Sequence, residues 1–85
     1  MIVKIEIKYY GKYYAKTGLL SEEIFVDDEM NHAYKAIMDY LKRKRNIDPP
    51  FLLMIRGEHV MGAIKKGMQL REGDVFSVIP FLSGG

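Results

Sequence analysis

The sequence predicts an α+β fold, in which a mixed sheet of four or five strands carries one main helix across one face. Three observations predict it: strict two-residue alternation at the start, one stretch of helical periodicity in the middle, and short apolar runs punctuated by glycine and proline after that.

Residues 2–10, IVKIEIKYY, place Val3, Ile5, Ile7 and Tyr9 on one side of a strand and Lys4, Glu6 and Lys8 on the other. Gly11 breaks the strand, Lys12 to Thr17 form a short irregular or one-turn segment, and Gly18 supplies a turn position of positive φ. A second strand covers about 20–26, with Ile24 and Val26 on one face. From Asp28 the period lengthens: Met30, Tyr34, Ile37 and Leu41 are spaced four, three and four, flanked by Ala33 and Met38, so a helix runs from about 29 to 45. Asp27, Asp28 and Glu29 stand where capping and the positive end of the helix dipole favour carboxylates, and Lys42-Arg43-Lys44-Arg45 stand at the negative end. Lys35 with Asp39 and Asp39 with Arg43 have the spacing of i,i+4 ion pairs.

Asp48-Pro49-Pro50 ends the helical region, because proline lacks the N–H and biases its predecessor towards extended backbone. Phe51 to Arg56 then reads as a strand apolar on both faces, with a brief strand at 59–61 beyond the Gly57-Glu58 turn. Residues 62–71 read as a mixed loop, Glu72-Gly73-Asp74 as a turn and Val75 to Pro80 as the last strand. A hairpin, a helix that must cross the sheet with right-handed connection, and returning strands together make the β-grasp arrangement. The first and last strands are then parallel neighbours at its centre.

Eighty-five residues allow one domain, and 48% apolar against 28% charged residues is the balance of a folded chain rather than a disordered one. The expected division is a β-grasp domain over 1–80 and a flexible tail over 81–85. There is no cysteine, which excludes disulfides, thiolate metal sites and cysteine nucleophiles. The longest apolar run is too short for a bilayer and the N-terminus lacks the pattern of a signal peptide, so a cytoplasmic protein with no membrane partner is expected.

His32 and His59 lack metal-ligand spacing, the acidic residues at 27–29 are accounted for by capping, and no metal site is expected. Gly57 to Gly62 has the glycine spacing of a phosphate loop, but Ala63 and Ile64 stand where lysine and Ser/Thr are needed. The basic run at 42–45 has no aromatic stacking platform beside it, so no nucleic-acid partner is expected. The tyrosine pairs Tyr9-Tyr10 and Tyr13-Tyr14 suit either a contact surface or a small core. No nucleophile with its base and no carboxylate pair remains, so the chain is not expected to be catalytic alone.

The ending PFLSGG is distinctive. Two final glycines arise by chance in about one chain in two hundred at average glycine usage. They follow a core strand within a few residues, without a linker. A terminal carboxylate on a stalk without side chains can be threaded into a narrow tunnel, but it is ionised at neutral pH and must be activated, most simply as an acyl-adenylate made from ATP by a separate enzyme.

The stretch LREGDVFSVIPFLSGG, residues 70–85, resembles the closing pattern of the ubiquitin-like β-grasp sulfur carriers, above all the small subunits of molybdopterin synthases, and YYGKYYAKTG, residues 9–18, resembles their segment after strand one. The resemblance implies that Gly85 is adenylated and converted to a thiocarboxylate, that Gly84 and Ser83 form the stalk, and that Phe81 and Leu82 with Pro80 dock the end on partners. Those implied partners are an adenylating activating enzyme, a sulfurtransferase, and a molybdopterin synthase large subunit or equivalent acceptor. No cofactor is held stably, and ATP belongs to the activating enzyme. The thiamin-pathway carriers are the nearest relatives of this family, and a protein modifier joined through Gly85 is the alternative use of the same tail.

Overall fold

The structure, a computed structural model, describes residues 1–81. The elements in chain order are β1 (Ile2–Tyr9), α1 (Lys12–Thr17), β2 (Ser21–Asp27), α2 (Met30–Arg45), β3 (Leu52–Ile55), β4 (Glu58–His59), α3 (Val60–Lys65) and β5 (Val75–Ile79). The five strands form one sheet in the order β2-β1-β5-β3-β4, with β1 and β5 parallel and the other pairs antiparallel. This is the α+β, β-grasp arrangement that the order of periodicities predicts.

Register decides which residues meet. Ile5, Ile7 and Tyr9 of β1, Phe76 and Val78 of β5, and Leu53 and Ile55 of β3 share the inner face. There they join Met30, Ala33, Ile37 and Leu41 of α2 in one buried cluster. The stripe of α2 is thus centred on Ala33 and Ile37, with Tyr34 and Met38 at its margins; a small residue at 33 lets the helix lie close to the sheet. Both i,i+4 pairs were expected on the outer face of α2, but only Asp39 and Arg43 pair, at 2.9 Å.

The expected loop over 62–71 is corrected in its first part, where α3 occupies 60–65. The His59 ring accepts the Met61 N–H at 3.1 Å and so caps this helix, while Val60 and Ala63 face the core. Gly62 hides the helical period from a sequence reading; a Cβ at 62 would stand 3.0 Å from a Glu58 carboxylate oxygen, the mobile end of a side chain that a small shift would clear. The brief strand correspondingly falls at Glu58–His59 rather than 59–61. Arg56 and Gly57 both have positive φ, 49° and 79°, the pattern of a type I′ hairpin turn. Arg56 tolerates it while gripping Asp74, with its Nε and one terminal nitrogen donating at 3.0 and 2.6 Å.

A second clasp ties the end of α2 to β2. Arg45 donates twice to the Glu22 carboxylate, at 2.8 and 2.6 Å, and the Tyr40 hydroxyl donates to it at 2.6 Å. The Tyr9 hydroxyl, from β1, donates to the same group. Burial alone pushes the Glu22 carboxyl up, but the hydrogen bonds from Arg45, Tyr40 and Tyr9 and the Arg45 charge outweigh it, and the pKa falls to about 2. Among the described residues no helix is long and apolar enough to cross a membrane.

A carboxylate with a depressed native pKa contributes stability above its unfolded value and loses it as protons bind to the native state. Stability is therefore expected to fall as pH drops from about 4.5 towards 2. Glu22→Gln should cost on the order of 2–3 kcal/mol at pH 7 and flatten the acid limb, as read by urea unfolding at a series of pH values.

Candidate functional site: the root of the C-terminal tail

The tail leaves the fold at Pro80, and its root is held on both sides. Along β1 the parallel register sets Tyr9 beside Val78, and the Tyr10 N–H donates to the Val78 carbonyl at 3.1 Å. Along β3 the antiparallel register sets Leu52 beside Ile79. The last strand is therefore paired with β1 as far as Val78 and with β3 as far as Ile79.

Gly11 is the feature that shapes the exit. Its φ of 55° and ψ of −128° lie in a region that residues with a Cβ avoid. A Cβ there would also stand 3.1 Å from the Pro80 Cγ. Glycine thus lets the turn from β1 into α1 close against the proline at the base of the tail. Phe81, the next residue, is 44% exposed, and Pro80 is half-buried.

Two apolar surfaces adjoin this point. On the outer face of the sheet, Ile79 and Val75 of β5 and Leu52 and Met54 of β3 are half-buried, with no helix over them. On the other side of the exit, a groove of about 480 Å³ runs between α1 and the β1–β2 hairpin, lined by Lys8, Tyr9, Tyr10, Gly11, Tyr14, Leu20 and Ser21. Leu20 is 74% exposed there. The tyrosine pairs divide by burial: Tyr9 and Tyr13 are core, with Tyr13 edge-on to Phe51 at 5.9 Å, while Tyr10 and Tyr14 are exposed along the groove.

Of the residues that the sequence singles out, Pro80 and Phe81 are placed together at the exit. Leu82, Ser83, Gly84 and Gly85 lie outside the described residues. Sequence reasoning did not single out Gly11, Tyr10, Tyr14 and Leu20 as neighbours of the exit. The signal was present in Gly11, but only the parallel β1–β5 register shows that it meets Pro80. Among the described residues no group of three His, Cys, Asp or Glu side chains is placed so that it could hold a metal ion. His32 stands 3.9 Å from Asp27 and 3.8 Å from Glu29, in loose contact with the carboxylates that precede and cap α2.

No protein-family model matches the sequence, and no curated protein matches it. Solved structures do. The HVO 2177 protein of Haloferax volcanii superposes with a TM-score of 0.71 at 19% identity, covering 99% of this chain and 88% of that one. Small archaeal modifier protein 1 of Methanosarcina acetivorans gives 0.66 at 14% identity, covering 100% and 99%. A candidate molybdopterin converting factor, subunit 1, of Pyrococcus furiosus gives 0.65 at 18% identity, covering 93% and 99%.

Since Phe81 packs with less than full burial beyond the last strand, Phe81→Ala should change unfolding stability by less than about 1 kcal/mol. Gly11→Ala should cost about 1–3 kcal/mol through its backbone and displace the Pro80 ring, seen as melting temperature and as NMR shifts of the Val78, Ile79 and Phe81 amides. A large melting loss for Phe81→Ala would instead make that ring part of the core. At these identities the likeness is one of fold, and the chain is built on the ubiquitin-like β-grasp fold shared by these small proteins.

Proposed function

We propose that this protein is a sulfur carrier, whose terminal glycine, Gly85, is adenylated and converted to a thiocarboxylate for the synthesis of a molybdopterin or tungsten-pterin dithiolene. The observation that carries the reading is the joining of a Gly-Gly end to a rigid root: the strand before Pro80 is paired on both sides, and four residues separate Phe81 from the terminus. A rigid base with a thin end suits insertion into the active site of a second protein, because the ordering cost on binding falls on few residues.

The chemistry follows from the carboxylate. An activating enzyme joins Gly85 to the AMP of ATP and releases pyrophosphate. A sulfur nucleophile supplied through a sulfurtransferase then attacks the acyl carbon, and AMP leaves with the electron pair of the broken bond. Gly84 and Ser83 present no bulky side chain to a tunnel, and Pro80, Phe81 and Leu82 with the apolar outer face of β3 and β5 supply the docking surface. The acceptor in this reading is the large subunit of a molybdopterin synthase or an equivalent enzyme. A thiazole-forming enzyme is the corresponding acceptor in a thiamin pathway.

Intact mass of the full chain after incubation with its adenylating enzyme, ATP and a sulfur donor should show one oxygen replaced by sulfur, and the change should be localised to Gly85 by fragmentation. An unchanged mass with an activating enzyme that still exchanges pyrophosphate would overturn the reading. A second reading, a protein modifier joined to lysines through Gly85, draws on the likeness to small archaeal modifier protein 1. It predicts Gly-Gly remnants on target lysines in cells, lost when Gly84 and Gly85 are deleted. Phe81→Ala should weaken binding to the acceptor or activating enzyme severalfold in a titration by calorimetry.

A further inference from the structure

The chain contains six methionines and no cysteine, so all of its side-chain sulfur is thioether. The six stand in different surroundings. Met30 is core, at 2% exposure, and Met38 and Met68 pack against that core. Met1 and Met61 are exposed. Met54 is half-buried on the face of β3 opposite the core, next to Leu52 and its ladder partner Ile79.

Its cross-strand neighbours are polar. Met54 is paired with His59 of β4 on one side and with Ser77 of β5 on the other. Side chains directly opposite one another on one face of a sheet are close enough to interact. The His59 Nδ1 accepts the Met61 N–H at 3.1 Å, so the neutral ring carries its hydrogen on Nε2. An imidazole N–H and a serine hydroxyl, both donors, thus flank a thioether, which is a weak acceptor. A sulfoxide oxygen in the same place would be a strong one.

We infer that Met54 is a reversible oxidation site that switches the outer face of β3 and β5 between an apolar, docking state and a polar, non-docking one. The inference rests on the reading that this face meets the partner enzymes. The oxidant is hydrogen peroxide. The Met54 sulfur attacks one peroxide oxygen and the O–O bond breaks. The second oxygen leaves as hydroxide and takes up the proton released by the first to become water. The sulfur is oxidised by two electrons and the peroxide reduced by two. In the free chain the His59 Nε2–H and the Ser77 hydroxyl hold the new oxygen at the surface, whereas a partner closing over Leu52, Met54 and Ile79 buries the S–O dipole in apolar contact. Met54 is not among the residues packed into the core, so the change falls on the surface and spares the fold. A methionine sulfoxide reductase, oxidising a dithiol to a disulfide, removes the oxygen as water and restores the thioether.

The test treats the full chain with hydrogen peroxide, maps oxygen gain by peptide mass and titrates the product against the activating enzyme by calorimetry. Met54 should gain one oxygen while Met30 gains none, and the melting temperature should move by less than about 3 °C. Affinity should fall about tenfold and return after treatment with the reductase and dithiothreitol. Met54→Leu, compared with its own untreated form, should lose no affinity in the same peroxide, although Met1 and Met61 are oxidised in it as well. Three results would overturn the inference: Met54 unmodified once Met1 and Met61 are fully oxidised, an equal peroxide-induced loss in Met54→Leu, or no binding by the untreated chain. Binding that survives oxidation of Met54 sinks this inference alone, because sulfur loading of Gly85 is read separately from the intact mass of the untreated chain.

Discussion

The parallel pairing of β1 with β5 is the constraint on which the remainder of the molecule depends. It joins the two ends of the chain at the centre of the sheet, with Glu6 to Tyr9 running beside Val75 to Val78. Parallel strands cannot be joined by a tight turn, so the chain between them has to provide a crossover, and α2 does so over the inner face. The apolar stripe of that helix and the inner residues of four strands then have one place to go. The same pairing carries the end of β1 and the end of β5 to one side of the molecule, which is why Gly11 meets Pro80 there.

Most of this was legible in the sequence because the elements that build the core carry strong periodicity. β1 alternates over its full length, and α2 has four apolar residues at helical spacing. Where the reading failed, a local pattern was overridden by a distant partner. α3 contains Gly62, a poor helix former, and is preceded by a histidine that has no obvious capping role in sequence; the His59 cap on Met61 and the burial of Val60 and Ala63 decide in favour of helix. Arg56 in a positive-φ turn position is equally opaque until Asp74, eighteen residues later, is seen to hold it.

The candidate site divides in the same way. The Gly-Gly end and the apolar pair before it stand out as composition, and no tertiary information is needed to notice them. The groove of Tyr10, Tyr14 and Leu20 does not stand out, because its residues come from three segments and alternate with core tyrosines. Tyr9 and Tyr10 are neighbours in sequence, yet one hydroxyl binds Glu22 beneath the sheet and the other ring is exposed along the groove. The basic run at 42–45 divides as well: Arg45 belongs to the clasp with Glu22, Arg43 answers Asp39, and Lys44 lines a groove between α2 and β2. Assigning one role to the run as a block misses this.

The central position of the last strand has a consequence for the order of events in synthesis. β5 lies between β1 and β3, so a chain still lacking residues 75–79 has a gap in the middle of its sheet rather than a missing edge. The first strand must wait for residues 75–79 before its central partner exists, and such long-range pairing is formed slowly. The sheet therefore closes only after residues 75–79 have been made. A product ended before residue 75 would lack the strand that joins β1 to β3, and its sheet could not close.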